Sequence, residues 1–160
     1  MDKNKEFKTI YNNYGEMLYR IAYVYLANQD DVEDVLQDVF ISFLQNLNKF
    51  KSDEHKKAWL IRATQNKCIN LLKASSRKHI NIEDIQLQSF ESNDELHIDI
   101  LKQIIALDEK YKTVVILYYY NDYSVSEIAQ ILKISKSAVK MRLKRSRELL
   151  KIKLEDYENE

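Results

Sequence analysis

No proline occurs in the 160-residue chain, glycine occurs once, at Gly15, and apolar and polar residues nowhere alternate over the length of a strand. Both residues disfavour helix interiors, so a chain almost free of them, with apolar positions recurring three and four apart, is expected to be all-α. A hydrophobic content of 45% is enough for real cores. The same composition narrows the chemistry. Gly15 alone cannot build a glycine-rich phosphate loop, the lone Cys68 excludes an internal disulfide framework, and His55, His79 and His97 are scattered with no cysteine beside them. No metal, cofactor or small-molecule substrate is therefore expected. With no signal segment and no apolar run of membrane-spanning length, the expected location is the cytoplasm, without membrane insertion.

The stretch from Tyr123 to Leu154 narrows the function most. Ser124 followed by Glu127, ahead of Ile128 and Ala129, has the spacing of a capping box and predicts a short helix. Lys133, Ile134 and Ser135 interrupt it, and Ser135 is a plausible N-cap for a second helix. On a wheel advancing about 100° per residue, Val139, Leu143, Ser146 and Leu150 share one narrow packing sector. Ser137, Met141 and Lys144 lie opposite, flanked by Lys136, Lys140 and Arg145. A short-polar centre framed by long cations suits the DNA major groove, with central residues at base edges and flanking cations at phosphates. From Lys133 to Lys153 there are nine cations, among them Arg142 and Arg147, against the single acid Glu148, although the whole chain is neutral. That charge is segregated onto one module. A basic run alone is usually a solvated face; its position on the second helix of a helix–turn–helix pattern favours the DNA reading.

Upstream, Phe7, Ile10, Tyr11, Tyr14, Leu18, Ile21 and Tyr25 follow helical spacing, which predicts an amphipathic, tyrosine-rich core helix over about 5–27. Asp30 with Glu33 resembles another cap, and Val32, Val35, Leu36, Val39, Phe40, Phe43 and Leu44 make a continuous apolar stripe. Its outer face is acidic, with Asp31, Asp34, Gln37 and Asp38 and no cation from Asp30 to Gln45. Acids in a first turn complement the helix dipole, but Asp38 stands beyond that turn, so a basic protein partner is the competing explanation. After a polar loop over Asn48–Lys57 comes a helix from Ala58, with Trp59, Arg62, Asn66, Asn70, Lys73 and Arg77 on one side and Leu60, Thr64, Cys68, Leu71 and Leu72 on the other. An aromatic ring interleaved with amides and cations suits single-stranded nucleic acid, whose unstacked bases can stack and hydrogen-bond. A solvent face with one half-buried tryptophan is the bland alternative. Residues 76–97 lose the periodicity and read as a flexible linker, so the expected organisation is two small helical domains, 1–75 and 98–154, with an acidic tail over 155–160.

Taken together, the acidic helix from Asp31 to Phe40, the Trp59, Leu60, Asn66, Leu72, Lys73 helix, the linker and the terminal module from Glu127 to Arg145 resemble a bacterial RNA polymerase sigma factor of the sigma-70 family, extracytoplasmic-function type. The resemblance covers nearly the whole chain, with the motifs in the family's order. It implies a non-enzymatic transcription initiation factor whose partners are core RNA polymerase, promoter DNA and an anti-sigma factor. By the same resemblance the acidic helix docks on the polymerase through Asp31, Glu33, Asp34, Gln37, Asp38 and Phe40. The following loop and helix, with Trp59, Arg62, Asn66, Asn70 and Lys73, open and hold the −10 element. The terminal helix reads the −35 element through Ser135, Lys136, Ser137, Lys140, Met141, Arg142, Lys144 and Arg145. The chain departs from the family pattern at Lys133, where the turn is commonly glycine, at Asn70, where aspartate is frequent, and at Asp108, where proline is usual. Two rival readings stay open on the residues: a helix–turn–helix regulator that binds duplex DNA without polymerase, and a helical adaptor whose basic helix meets an acidic protein.

Overall fold

In the computed structural model, which describes residues 2–74 and 95–150, every regular element among those residues is helical. The N-terminal group is α1 (Lys3–Leu26), α2 (Gln29–Gln45) and α3 (Asp53–Ala74). The C-terminal group is α4 (Glu95–Ile105), α5 (Glu109–Val115), α6 (Val125–Leu132) and α7 (Lys136–Leu150), with a π-helical turn over Ile116–Tyr120 after α5. Most of the expected linker and the whole acidic tail, with Arg77, lie outside the described residues. The start of α4 at Glu95 falls inside the segment read as linker.

Asp2 caps α1 by accepting hydrogen bonds from the Asn4 and Lys5 amides. Tyr11, on the stripe expected to be core, is 56% exposed, whereas Ile10, Leu18, Ile21 and Tyr25 are buried. Every residue from Ile21 to Leu26 is buried. The unbroken apolar run there meets α2 and α3 as well as α4 and α5, and a helix covered on all sides needs apolar residues all round.

The cap of α2 differs from the one expected. Asn28, not Asp30, holds it, its Oδ1 accepting from the Asp31 amide at 3.0 Å. Asparagine and aspartate cap about equally well, and the earlier residue takes the position, leaving Asp30 and Asp31 in the first turn. The loop before α3 is also shorter than expected. A 3₁₀ turn occupies Leu47–Lys49 and α3 starts at Asp53, with Ser52 Oγ accepting from the His55 amide at 3.1 Å. The polar first turn of α3 carries no apolar period, so periodicity alone starts the helix too late. Leu60, Thr64 and Cys68 are fully buried, and burial pushes the Cys68 thiol up to about 12, which makes it an inert core group.

The capping box of α6 is present in full: the Glu127 amide donates to Ser124 Oγ and the Ser124 amide to Glu127 Oε1, both at 3.1 Å. The helix ends at Lys133 with φ 56° and ψ 44°. A left-handed non-glycine residue costs about 1–2 kcal/mol, and here the Lys133 amide recovers a bond to the Ala129 carbonyl. Ser135 Oγ then accepts from the Ala138 amide at 3.0 Å and opens α7.

The two groups pack together, α1 against α4 and α5 and α3 against α6. Much of the seam is polar. The Tyr25 hydroxyl donates to the Glu109 carbonyl at 3.0 Å and sits 2.8 Å from Thr113 Oγ1, which is placed to donate to it. Arg62 donates to the Ile131 carbonyl at 2.7 Å. The Lys57 ammonium lies 4.7 Å from the centre of the Tyr123 ring, and the Arg20 guanidinium 5.0 Å from that of Tyr120.

Candidate nucleic-acid and protein interfaces

On α7 the packing face is Val139, Leu143, Ser146 and Leu150, all buried. Ser146 loses no hydrogen bond there, because its hydroxyl donates to the Arg142 carbonyl at 2.6 Å. Lys136, Ser137, Lys140, Met141, Lys144 and Arg145 are exposed, as is the cap Ser135, while Arg142 is half-buried. Met141 is 66% exposed. A thioether kept in solvent amid lysines has no packing reason in the fold and suits contact with an apolar base edge. Arg145 is paired with Glu148 at 3.1 Å, which raises its already high pKa. Arg147 donates to the Tyr119 hydroxyl at 3.3 Å and so ties α7 to the turn after α5.

On α2 the expected docking residues divide between two clefts. Asp31, Asp34 and Asp38 line a cavity of about 480 Å³ against α3, together with Lys67 and Asn70. Glu33, Gln37 and Phe40 line another, of about 670 Å³, against α1. Glu33, Asp34, Gln37 and Asp38 are exposed, and Asp31 is half-buried. Phe40 is only 6% exposed, its ring meeting Phe7 edge-on at 5.4 Å. It belongs to the wall of the apolar groove and not to the acidic face. Tyr11 and Ile41, both exposed and both on this groove, were not among the expected site residues. Ile41 is the signal that could have found them, being apolar but off the core stripe.

The residues that share one side of α3 are sent in three directions. Trp59 is half-buried and joins an aromatic cluster, edge-on to Phe50 at 5.4 Å and tilted to Phe43 at 6.1 Å, so it is not a free stacking platform. Arg62 turns to α6, and burial lowers its pKa. Asn70 faces the acidic cleft of α2. Asn66, Asn70 and Lys73 are left exposed, Asn70 beside the acids of α2.

Family models match in the same order as these surfaces. Sigma-70 region 2 matches residues 10–78, and sigma-70 region 4 matches 97–150. The chain belongs to the sigma-70 family of RNA polymerase sigma factors. It is of the extracytoplasmic-function type: the sigma factor SigW of Bacillus subtilis is 29% identical, over 94% of this chain and 89% of its own length. SigV of the same organism is 28% identical over 91% of this chain. Among solved structures, CnrH in complex with the cytosolic domain of CnrY superposes with a TM-score of 0.70 at 25% identity, covering 96% of this chain and 90% of that one. RpoE of Bartonella quintana, in complex with the anti-sigma factor NepR, shares the fold with a TM-score of 0.73 at 22% identity, covering 94% of this chain and 98% of that one. The region 2 match gives α1–α3 of this sigma factor a role that neither rival reading assigned them. No helix among the described residues is long and apolar enough to cross a membrane.

Proposed function

We propose that this sigma factor docks on core RNA polymerase through the exposed acids of α2, reads duplex DNA at the −35 element through α7, and holds opened −10 DNA through α3. The observation that carries the proposal is the division of α7. One face is buried to the last residue, while the opposite face exposes cations around Ser137 and Met141. Lys136, Lys140 and Arg145 serve phosphates, and Ser137, Met141 and Lys144 serve bases. Ser135 and Arg142 hold the helix entry and its middle. On α2, Glu33, Asp34, Gln37 and Asp38 present negative charge to a basic polymerase surface, with Asp31 behind them and Phe40 supporting the groove from inside. Asn66 and Lys73 make the first contacts to the opened strand. Asn70 stands beside them at the edge of the acidic cleft, and Arg62 and Trp59 join only after local rearrangement.

The protein works as an initiation factor, not as an enzyme, in the bacterial cytoplasm where polymerase and promoter meet. The anti-sigma factor NepR bound to the structural relative RpoE makes an anti-sigma protein the expected controller here too. Reconstitution tests the reading: the purified chain added to core polymerase on genomic DNA should co-purify with it and start transcripts at discrete sites sharing upstream elements near −35 and −10. Start sites indistinguishable from those of core polymerase alone would refute it.

A further inference from the structure

We infer that His55 is the positioning residue of the loop that enters α3, and that protonating it loosens this loop and with it the hold on opened −10 DNA. The inference rests on the sigma reading of α3 and of the loop before it. Ser52 stands directly ahead of α3, and its Oγ accepts from the His55 amide at 3.1 Å. The His55 side chain reaches back in turn, its Nδ1 accepting from the Lys51 amide at 3.3 Å. This reciprocal pattern is a capping box in which histidine stands where glutamate or glutamine is usual. It differs in reaching the amide of Lys51, one residue before the cap.

Histidine changes the behaviour of such a box, because only one protonation state can complete it. A neutral imidazole with its hydrogen on Nε2 offers Nδ1 as an acceptor, whereas an imidazolium donates from both nitrogens. The imidazolium also puts positive charge in a first helical turn, where the helix dipole disfavours cations. Histidine ordinarily changes charge between about pH 5 and 8, so the bond is present on the alkaline side of that change and lost on the acid side. The carboxylates around the turn already have lysine partners. Glu6 of α1 meets Lys56 Nζ at 2.8 Å, Asp53 meets the same ammonium at 3.8 Å, and Glu54 meets Lys57 at 3.0 Å. The phenols of Tyr14 on α1 and Tyr123 ahead of α6 lie near Lys57, α2 presents the ring of Phe43, and the loop itself adds the exposed cations Lys49 and Lys51.

The loop that His55 holds runs directly into the aromatic cluster of α3. Phe50 stacks on Phe43 at 4.9 Å with the ring planes 22° apart, and meets His55 and Trp59 edge-on at 5.3 Å and 5.4 Å. Only Lys51 and Ser52 separate Phe50 from α3, and both are bonded to His55. His55 therefore sets how Phe50 lies against Trp59 and where the cations of Lys49 and Lys51 stand. A surface ordered before binding pays less on binding than one the strand must order. Charge alone acts the other way, since an imidazolium adds a cation beside phosphates and would tighten binding on acidification.

NMR of the full chain reads the ring and the loop separately, with His55→Gln assigning the imidazole signals. At about pH 8 the His55 hydrogen should sit on Nε2, with Nδ1 unprotonated. Protection of the Lys51 amide against solvent exchange, corrected for intrinsic pH dependence, should fall several-fold as the ring protonates. His55→Gln still accepts but does not titrate in this range, so it should keep the protection throughout, and His55→Ala should lack it throughout. With core polymerase on a template opened at −10, its start site taken from the reconstitution, strand affinity should fall roughly fivefold between about pH 7.5 and 5.5, the worth of about one hydrogen bond. In His55→Gln it should change less than about twofold. A hydrogen on Nδ1 at the alkaline end, or a Lys51 amide as protected in His55→Ala as in the unmutated chain, would overturn the positioning role. Strand affinity that holds or rises on acidification while the Lys51 amide is released would overturn the link to −10 DNA. A chain unable to bind core polymerase would overturn the sigma reading and that link with it, while the spectra of the free chain still decide whether His55 holds the loop.

Discussion

Helices α7 and α3 carry similar residues, cations spaced among small polar side chains, and the fold uses them in opposite ways. In α7 one face is taken by the protein, and Lys136, Lys140, Lys144 and Arg145 are left outside. In α3 three neighbours compete for the same side: the aromatic cluster takes Trp59, α6 takes Arg62, and the acids of α2 border Asn70. A helix with one neighbouring surface presents its chemistry directly. A helix with three presents what the neighbours leave.

The comparison breaks most visibly at the packing face of α7. Leu143→Ala, at a position 2% exposed, should cost about 2–5 kcal/mol and abolish DNA binding, whereas Met141→Ala across the helix should change stability by less than about 0.5 kcal/mol and alter −35 preference. Chemical denaturation of the two variants checks this, and equal losses would mean that the two faces are not distinct.

A smaller effect separates cations by burial. Lys112, 5% exposed and over the Tyr25 ring at 5.4 Å, is lowered to about 8, chiefly because burial penalises its charge. In the unfolded chain it titrates near 10.5, so between these values the unfolded state holds a proton that the folded state has released, and stability should rise with pH from about 8 upward. Tyr23, raised to about 12 by burial, reverses the trend once unfolded tyrosines ionise near pH 10. Thermal melts between pH 7 and 10 should show the rise, and Lys112→Met should flatten it while stabilising the protein at neutral pH by on the order of 2–3 kcal/mol. Lys136→Met on α7, exposed, should leave the profile alone.

Smaller again is the cap of α6. Ser124→Ala should cost about 1 kcal/mol and loosen α6 against α3 and α7 together. Smallest in stability, yet informative, is a pair on the DNA surfaces. Lys136→Ala should lower the salt slope of DNA binding by about one unit across many sequences alike. Asn66→Ala should slow promoter opening more than Asn70→Ala, because Asn70 borders the acids of α2 and Asn66 is open. Equal defects in the two would restore the single face that the wheel of α3 suggests.

How far the residues foretold these surfaces follows from how local each one is. The capping box at Ser124, the break at Lys133, the cap at Ser135 and the buried face of α7 are set within one or two turns, and periodicity shows them. The cap of α2 slipped from Asp30 to Asn28 because both candidates are local and equivalent, so only the finished turn decides. The start of α3 was hidden because its first turn is polar on every side. Nothing local could show that Arg62 reaches Ile131 or that Tyr25 meets Thr113, partners 69 and 88 residues apart in the chain. The split of the α2 residues between two clefts is of the same kind, since it depends on where α1 and α3 lie. The sigma resemblance assigned roles to these residues without showing which of them the folded chain leaves accessible.

The most direct test of the central claim is the affinity of the labelled full chain for core RNA polymerase, compared with an Asp34→Lys, Asp38→Lys double variant. The unmutated chain should bind tightly, and the variant should lose roughly a hundredfold or more, about 3 kcal/mol or above by the scale of close interfacial charge pairs. Its thermal stability should hold within about 0.5 kcal/mol, because both acids are exposed. A folded double variant that binds core polymerase as tightly as the unmutated chain would contradict docking through α2.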